Sequence, residues 1–327
     1  RRLARGPGAE ASGLRFRAFL DESTGFYLQL LEDVQRCADP ASEAPSPPQQ
    51  APMPVLEACH RCLQFLGDLA RYTEGASTRA PCFAAARLYY QRAIALLPVH
   101  GAPYNQLAVL AGQEDRMALA AYYYVRSCDA LRPFATAPRN LQLLLDKLPP
   151  PHVSDPPLLL AARLLRDAEP DPADQAAFLS ALAALVGSTG STVRALVQIA
   201  VVVFHGNDAR LFLEYVLTLA NHLLRLPDAS LPAAPALAAV KVAGDWLRHR
   251  HTHTPLDADH AVWRALAALG NRLAALAQQP YRPHHWQQKA ALPEDRLAQG
   301  LAAAWASPDA NWLAADSDTG SKRNKEE

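Results

Sequence analysis

The residues in this chain best suited to chemistry are an arginine and the tyrosine after it, Arg71-Tyr72, at the end of a helical pattern. Between residues 54 and 75, Leu56, Cys59, Leu63, Leu66 and Ala70 recur along one stripe. His60, Gln64, Asp68 and Arg71 fall on another face, with Tyr72 adjacent. A guanidinium holds a phosphate through two parallel N–H bonds, and a neighbouring phenol adds a donor. A second arginine, Arg126, stands in YYYVRS, and Asn105 opens the helical stretch between the two. From spacing alone, the simpler reading is that Arg71 pairs with a surface carboxylate such as Asp68 or Glu74.

The other reactive side chains form no catalytic pattern. There is no Gly-rich phosphate loop, GxSxG elbow or HExxH pair, and the acidic residues are scattered. Histidines gather at His249, His251, His253, His260 and His284-His285. Their alternate spacing in RHRHTHTP does not suit a ligand pair on a helix and reads as a solvated loop. Cys59-x-x-Cys62 has no second such pair to complete a tetrahedral zinc site, and it sits inside a helical pattern, so it reads as two packed thiols. Five cysteines, with no secretory signal, read as free thiols in a reducing compartment. The expectation is a binding protein, with no metal and no cofactor.

Composition narrows the partners. Half of the 327 residues are apolar, and 32 basic residues balance 32 acidic ones. A neutral chain lacks the broad positive field of a non-specific nucleic-acid binder, so direct nucleic-acid binding is not expected. No uninterrupted apolar stretch reaches the length of a membrane span, so no membrane partner is expected either. The sequence opens at Arg1 rather than Met, which gives the expectation of a chain incomplete at its start.

Helical periodicity positions all of these residues. It predicts helices over 14–37, 54–75, 80–98, 101–113, 115–132 and 134–148, then 156–168, 172–187, 190–205, 207–226, 231–251 and 257–278, with a short one at 293–305. Proline-rich stretches at 38–54 and 147–157 interrupt the pattern, and a polar tail follows Ser317. No convincing strand pattern appears, and the expected class is all-α. An offset of 35 carries Ala85-Ala86-x-x-Tyr89 onto Ala120-Ala121-x-x-Tyr124, and Ala95-Leu96-x-Pro98 onto Ala130-Leu131-x-Pro133. The preceding helices also match, with Leu63, Leu66, Gly67 and Ala70 spaced like Tyr104, Leu107, Ala108 and Ala111. That is a tetratricopeptide pattern, whose stacked units form a concave groove for an extended peptide.

CHRCLQFLGDLARY at 59–72, YYQRAIALLPVHGAPYNQLAVLAG and YYYVRSCDALRPFATAPRNL together resemble the SMG family of nonsense-mediated mRNA decay, relatives of the yeast "ever shorter telomeres" protein. ESTGFYLQLL at 22–31 resembles that family's preceding helix. The likeness spans roughly 14–145. AVKVAGDWLRHR and LPEDRLAQGL extend it more loosely, towards the seven-type branch more than the five- or six-type.

The resemblance implies a 14-3-3-like, tetratricopeptide-like domain over 14–148, stacked helical hairpins over 156–306 and a disordered tail over 307–327. It implies an adaptor that binds phosphorylated Ser/Thr segments of the decay RNA helicase and recruits decay and deadenylation factors. Its place of work would be the cytoplasm, and secondly the nucleus, and a sibling SMG protein is a further implied partner. By the family's motifs, Arg71-Tyr72 falls on the 14-3-3 phosphate pair. Asn105 falls on a peptide-backbone contact, and Arg126 on a further ligand residue. Such pockets also draw basic residues from an earlier helix. Nothing before Leu14 supplies that helix, so an incomplete pocket and weaker binding are expected. Two alternatives stand beside this reading. One is a telomere- or RNA-associated factor. The other is a plain tetratricopeptide scaffold for an unphosphorylated peptide, which gains if Arg71 is locked in an intramolecular ion pair.

Overall fold

The computed structural model describes residues 7–38, 51–75, 82–150, 152, 155–166, 170–188, 192–206, 209–231, 234–250 and 260–277. Among them the regular elements are α-helices: α1 Pro7–Ala38, α2 Met53–Gly75, α3 Ala84–Leu96, α4 Gly101–Gln113, α5 Met117–Cys128, α6 Ala137–Leu145, α7 Pro157–Leu164, α8 Pro172–Val186, α9 Val193–His205, α10 Ala209–Arg225, α11 Pro235–Arg250 and α12 His260–Ala277. There is no sheet among the described residues, and the strand-like pairing is a bridge between His100 and Arg132. The fold is all-α, a stack of tetratricopeptide-like helical hairpins.

The sequence signals act where they fall. Pro54, Pro138, Pro157 and Pro172 sit in the first turns of α2, α6, α7 and α8, where a missing N–H leaves no intrahelical bond unmade. Asp171 and Thr192 cap α8 and α9 by accepting from Ala173 N (2.8 Å) and Ala195 N (3.1 Å). α5 ends at Cys128, short of the predicted 132, because the following residues turn back to pair Arg132 with His100 at the start of α4.

Adjacent helices pack as hairpins, α2 with α3 and α4 with α5, and α1 covers α2. α6 and the turn after it repeat the first-helix spacing once more, burying Leu141, Leu144 and Leu145 in the helix and Leu148 beyond it. In α2 the buried stripe is rotated from the predicted one. Cys62 and Leu69 join Cys59, Leu63 and Leu66 inside, while Leu56 and Ala70 are half-buried. The Cys59 and Cys62 thiols are interior, and burial pushes both pKa values up, as suits packed thiols.

The proline-rich break before α7 does not interrupt the core. One apolar cluster runs from Ala108 in α4 to Leu269 in α12, and α5 packs against both α7 and α9. Arg163 of α7, almost fully buried, holds the break in place. It donates to Pro149 O (2.9 Å) and Pro150 O (3.2 Å) and pairs with Asp155 at 2.5 Å. Further along, His205 of α9 reaches Asp129 at 2.9 Å, and Arg272 of α12 donates to the carbonyls of Leu223 (3.2 Å) and Leu224 (3.1 Å) at the end of α10. Trp263 packs partly buried against the same core. The predicted helix at 293–305, the tail, Trp286, Trp305 and residues 39–50 lie outside the described residues, as does the side chain of Trp246. No described helix is long and apolar enough to cross a membrane.

Candidate functional site

The geometry around Arg71 begins with Gly67, one turn earlier on α2. A Cβ there would stand 2.4 Å from Tyr90 Cε1 and 2.8 Å from its Cζ. The missing side chain lets the Tyr90 ring of α3 lie directly against α2. Tyr90 is fully buried, and its hydroxyl crosses α2 to donate to Asp68 Oδ1 at 2.7 Å. Burial, and then the bond to Asp68, push the Tyr90 pKa well above its ordinary range, so the hydroxyl stays a donor. The same Asp68 oxygen accepts from Arg71 Nη2 at 3.3 Å, longer than a good N–H···O bond.

Arg71 itself is largely covered. Its side chain retains 16 % of its exposure, and the half-exposed Tyr72 ring lies over the guanidinium, 4.4 Å from its centre. Its Nε is buried without a hydrogen-bond partner. Burial works against the charge, but contacts with the Tyr90 and Tyr72 hydroxyls and the Asp68 carboxylate outweigh it and raise the pKa. Of the two carboxylates predicted as partners, Asp68 is the one in place. Glu74 is used elsewhere, accepting from the backbone N–H groups of Cys82 (3.1 Å) and Phe83 (2.5 Å).

Asn105 and Arg126 belong to other clusters. Asn105, on the second turn of α4, is buried and accepts from Asn140 Nδ2 of α6 at 2.9 Å. Arg126 of α5 is interior, 2 % exposed, and donates to Tyr104 (2.7 Å) and Tyr122 (3.2 Å), with its guanidinium 4.6 Å over the Tyr104 ring. There it braces α4 against α5. Beside it, Ser127 Oγ donates to Gly101 O at 2.8 Å, and a Cβ on Gly101 would meet Ser127 O at 2.5 Å. The helices at this joint approach as closely as their backbones allow.

His60 shares its predicted face with Gln64, Asp68 and Arg71 but is more deeply covered than they are. It is buried, stacks on His100 at 4.5 Å between centroids, and leaves its Nε2 without a partner. Burial first, then the charges of His100 and Arg61, pull its pKa down to about 4. His100 is in turn in contact with Arg132 (3.2 Å), which pairs with Glu57 at 2.7 Å. No group of three or more potential metal ligands occurs among the described residues. The run from His251 to His253 and the His284-His285 pair lie outside them.

Spacing did not single out Tyr90, Asn140 or the His60–His100 stack. Tyr90 carried one readable signal, because it breaks the internal repeat together with Gly67. The repeat sets Gly67 against Ala108 and Tyr90 against Val125, so the first unit pairs the smallest residue with a large ring where the second has alanine and valine.

Two family models match the chain, one described as "Telomerase activating protein Est1" over residues 12–77 and one described as "Est1 DNA/RNA binding domain" over residues 86–150. Among curated relatives, "Nonsense-mediated mRNA decay factor SMG7" of Arabidopsis thaliana is 36 % identical over 155 residues, covering 41 % of this chain and 14 % of the relative. "Nonsense-mediated mRNA decay factor SMG5" of Danio rerio is 45 % identical over 91 residues, 28 % of this chain and 8 % of the relative. "Telomerase-binding protein EST1A" of Danio rerio is 42 % identical over 93 residues, 28 % of this chain and 6 % of the relative. The chain therefore matches a small part of each relative's length. A solved structure of the C. elegans SMG5-SMG7 complex aligns with a TM-score of 0.48 at 16 % identity, covering 77 % of this chain and 67 % of that one.

Proposed function

We propose that this chain, which the family models and curated relatives point to as one of the Est1/SMG5–SMG7 family, is a non-catalytic adaptor of mRNA decay that binds a phosphorylated Ser/Thr peptide. Arg71 and Tyr72 are its contact residues, while the buried Asn105, bonded to Asn140, and Arg126, bonded to Tyr104 and Tyr122, support the peptide-binding helices from inside. The ligand is a phosphorylated segment of the decay helicase, and the bound adaptor recruits degradation factors, with a sibling family member as a further partner.

The observation that carries this reading is the end of α2. An arginine covered by a half-exposed tyrosine ring keeps a buried Nε without a partner. A buried donor left unpaired costs about 1–3 kcal/mol, which an arriving phosphate oxygen recovers once the ring moves aside. Titration of a phosphoserine peptide and its unphosphorylated twin tests the reading. Binding of the phosphorylated form alone, weakened by salt and lost in Arg71→Glu, supports it. Equal affinities overturn it.

A second reading is favoured by the Arg71–Asp68 pair, which already occupies one Nη of the guanidinium. On that reading the groove takes an unphosphorylated peptide, and the twin peptides bind alike. Direct nucleic-acid binding has less support. Over the stretch matched by the "DNA/RNA binding" model, Arg87 pairs with Glu114, Arg126 is interior and Arg132 pairs with Glu57, so three of its cations are already engaged.

A further inference from the structure

We propose that Asp68 is the specificity gate of the Arg71 site: its carboxylate occupies the guanidinium in the free protein, so that a phosphate dianion can displace it and a carboxylate cannot. The inference rests on the phosphopeptide reading above and adds to it the residue that makes the site discriminate.

The argument is one of exchange. In the free protein Arg71 Nη2 is bonded to Asp68 Oδ1 at 3.3 Å, a loose contact, and that oxygen is shared with the Tyr90 hydroxyl at 2.7 Å. The shorter bond, from a buried tyrosine wedged against Gly67, fixes where the carboxylate stands. Asp68 therefore remains beside Arg71 but is held mainly by another group. An incoming ligand must replace one carboxylate–guanidinium contact with its own. A glutamate or aspartate side chain offers the same charge and the same two oxygens, so the exchange gains nothing and the peptide's ordering entropy decides against it. A phosphoserine brings about −1.5 to −2 charges and three acceptor oxygens, enough to take both guanidinium edges. Asp68 then gives up only its 3.3 Å contact with Arg71 and keeps the bond from Tyr90.

Asp68 is thus a positioning residue with a sign that a merely structural role does not have. Removing its charge opens the site to weaker anions. Removing the Tyr90 hydroxyl takes a partner from both Asp68 and Arg71, leaving the two to pair directly and close the site further. The two changes act in opposite directions, whereas general loosening of the α2–α3 contact would weaken every ligand in both variants.

The test uses the full chain and three degenerate nine-residue peptide pools centred on phosphoserine, serine or glutamate, with affinities read by fluorescence anisotropy. Asp68→Asn keeps an oxygen for the Tyr90 hydroxyl, and thermal unfolding is followed in parallel. The expected result is a wild type that prefers phosphoserine over glutamate by roughly tenfold or more. Asp68→Asn should narrow that preference to below about threefold by gaining affinity for the glutamate pool, while Tyr90→Phe weakens phosphoserine binding and still excludes glutamate. An unchanged preference in Asp68→Asn, with phosphoserine still favoured over serine, overturns the gate and leaves the phosphopeptide reading standing. A wild type that does not separate phosphoserine from serine overturns both.

Discussion

Gly67 shows how much a single residue can decide here. An added methyl group would lie 2.4 Å from the Tyr90 ring, which is backed by the α3–α4 core and cannot swing away. Gly67→Ala should therefore destabilise the protein by about 1–3 kcal/mol, even though alanine is the better helix former. Urea denaturation measures this, and a neutral or stabilising result would show that the ring yields. His60 supplies a pH dependence. Its folded pKa, about 4, lies below the ordinary 6.5, so the fold favours the neutral ring. Its contribution is complete above pH 6.5 and is lost as the pH falls from there through 4. Linkage puts the loss at about 2 kcal/mol between pH 7 and pH 5. His60→Leu should flatten that slope relative to the wild type, and parallel slopes would contradict the assignment.

Among the elements, the connection between α6 and α7 carries the sharpest expectation. Arg163 satisfies two proline-flanked carbonyls and a carboxylate from an almost fully buried position. Arg163→Met keeps the bulk but strands all three, which should cost about 3 kcal/mol or more by denaturation. A loss below about 1 kcal/mol would mean that the clamp is incidental. The helices themselves were legible in the sequence, because their apolar periods and their prolines act locally. The ends of α5 and the role of Arg163 were not, since a bridge from Arg132 to His100 and a cation reaching back 14 residues are contacts of the folded chain. Arg71-Tyr72 was legible as a pair of types at a helix end. Its bond to Tyr90 by way of Asp68 was not, because nothing in linear spacing says which tyrosine crosses a neighbouring helix.

At the scale of the molecule, a core continuous from α4 to α12 predicts that α4 and α5 open together with the later hairpins. Phe178, fully buried in α8, tests this from one end. Phe178→Ala should destabilise by about 3–5 kcal/mol, and amide exchange at Val125 in α5 should speed up alongside that at Val201 in α9. Independent units would leave Val125 protected. Arg71 lies outside that core, on α2, where packing against α1 and α3 sets its place. The central claim is that this place reads a phosphate, and calorimetric titration of the full chain with a phosphoserine peptide and its serine twin tests it most directly. The account predicts that only the phosphorylated peptide binds, that Arg71→Glu abolishes the heat, and that rising salt weakens it. Equal binding of the two peptides, or undiminished binding in Arg71→Glu, would contradict it.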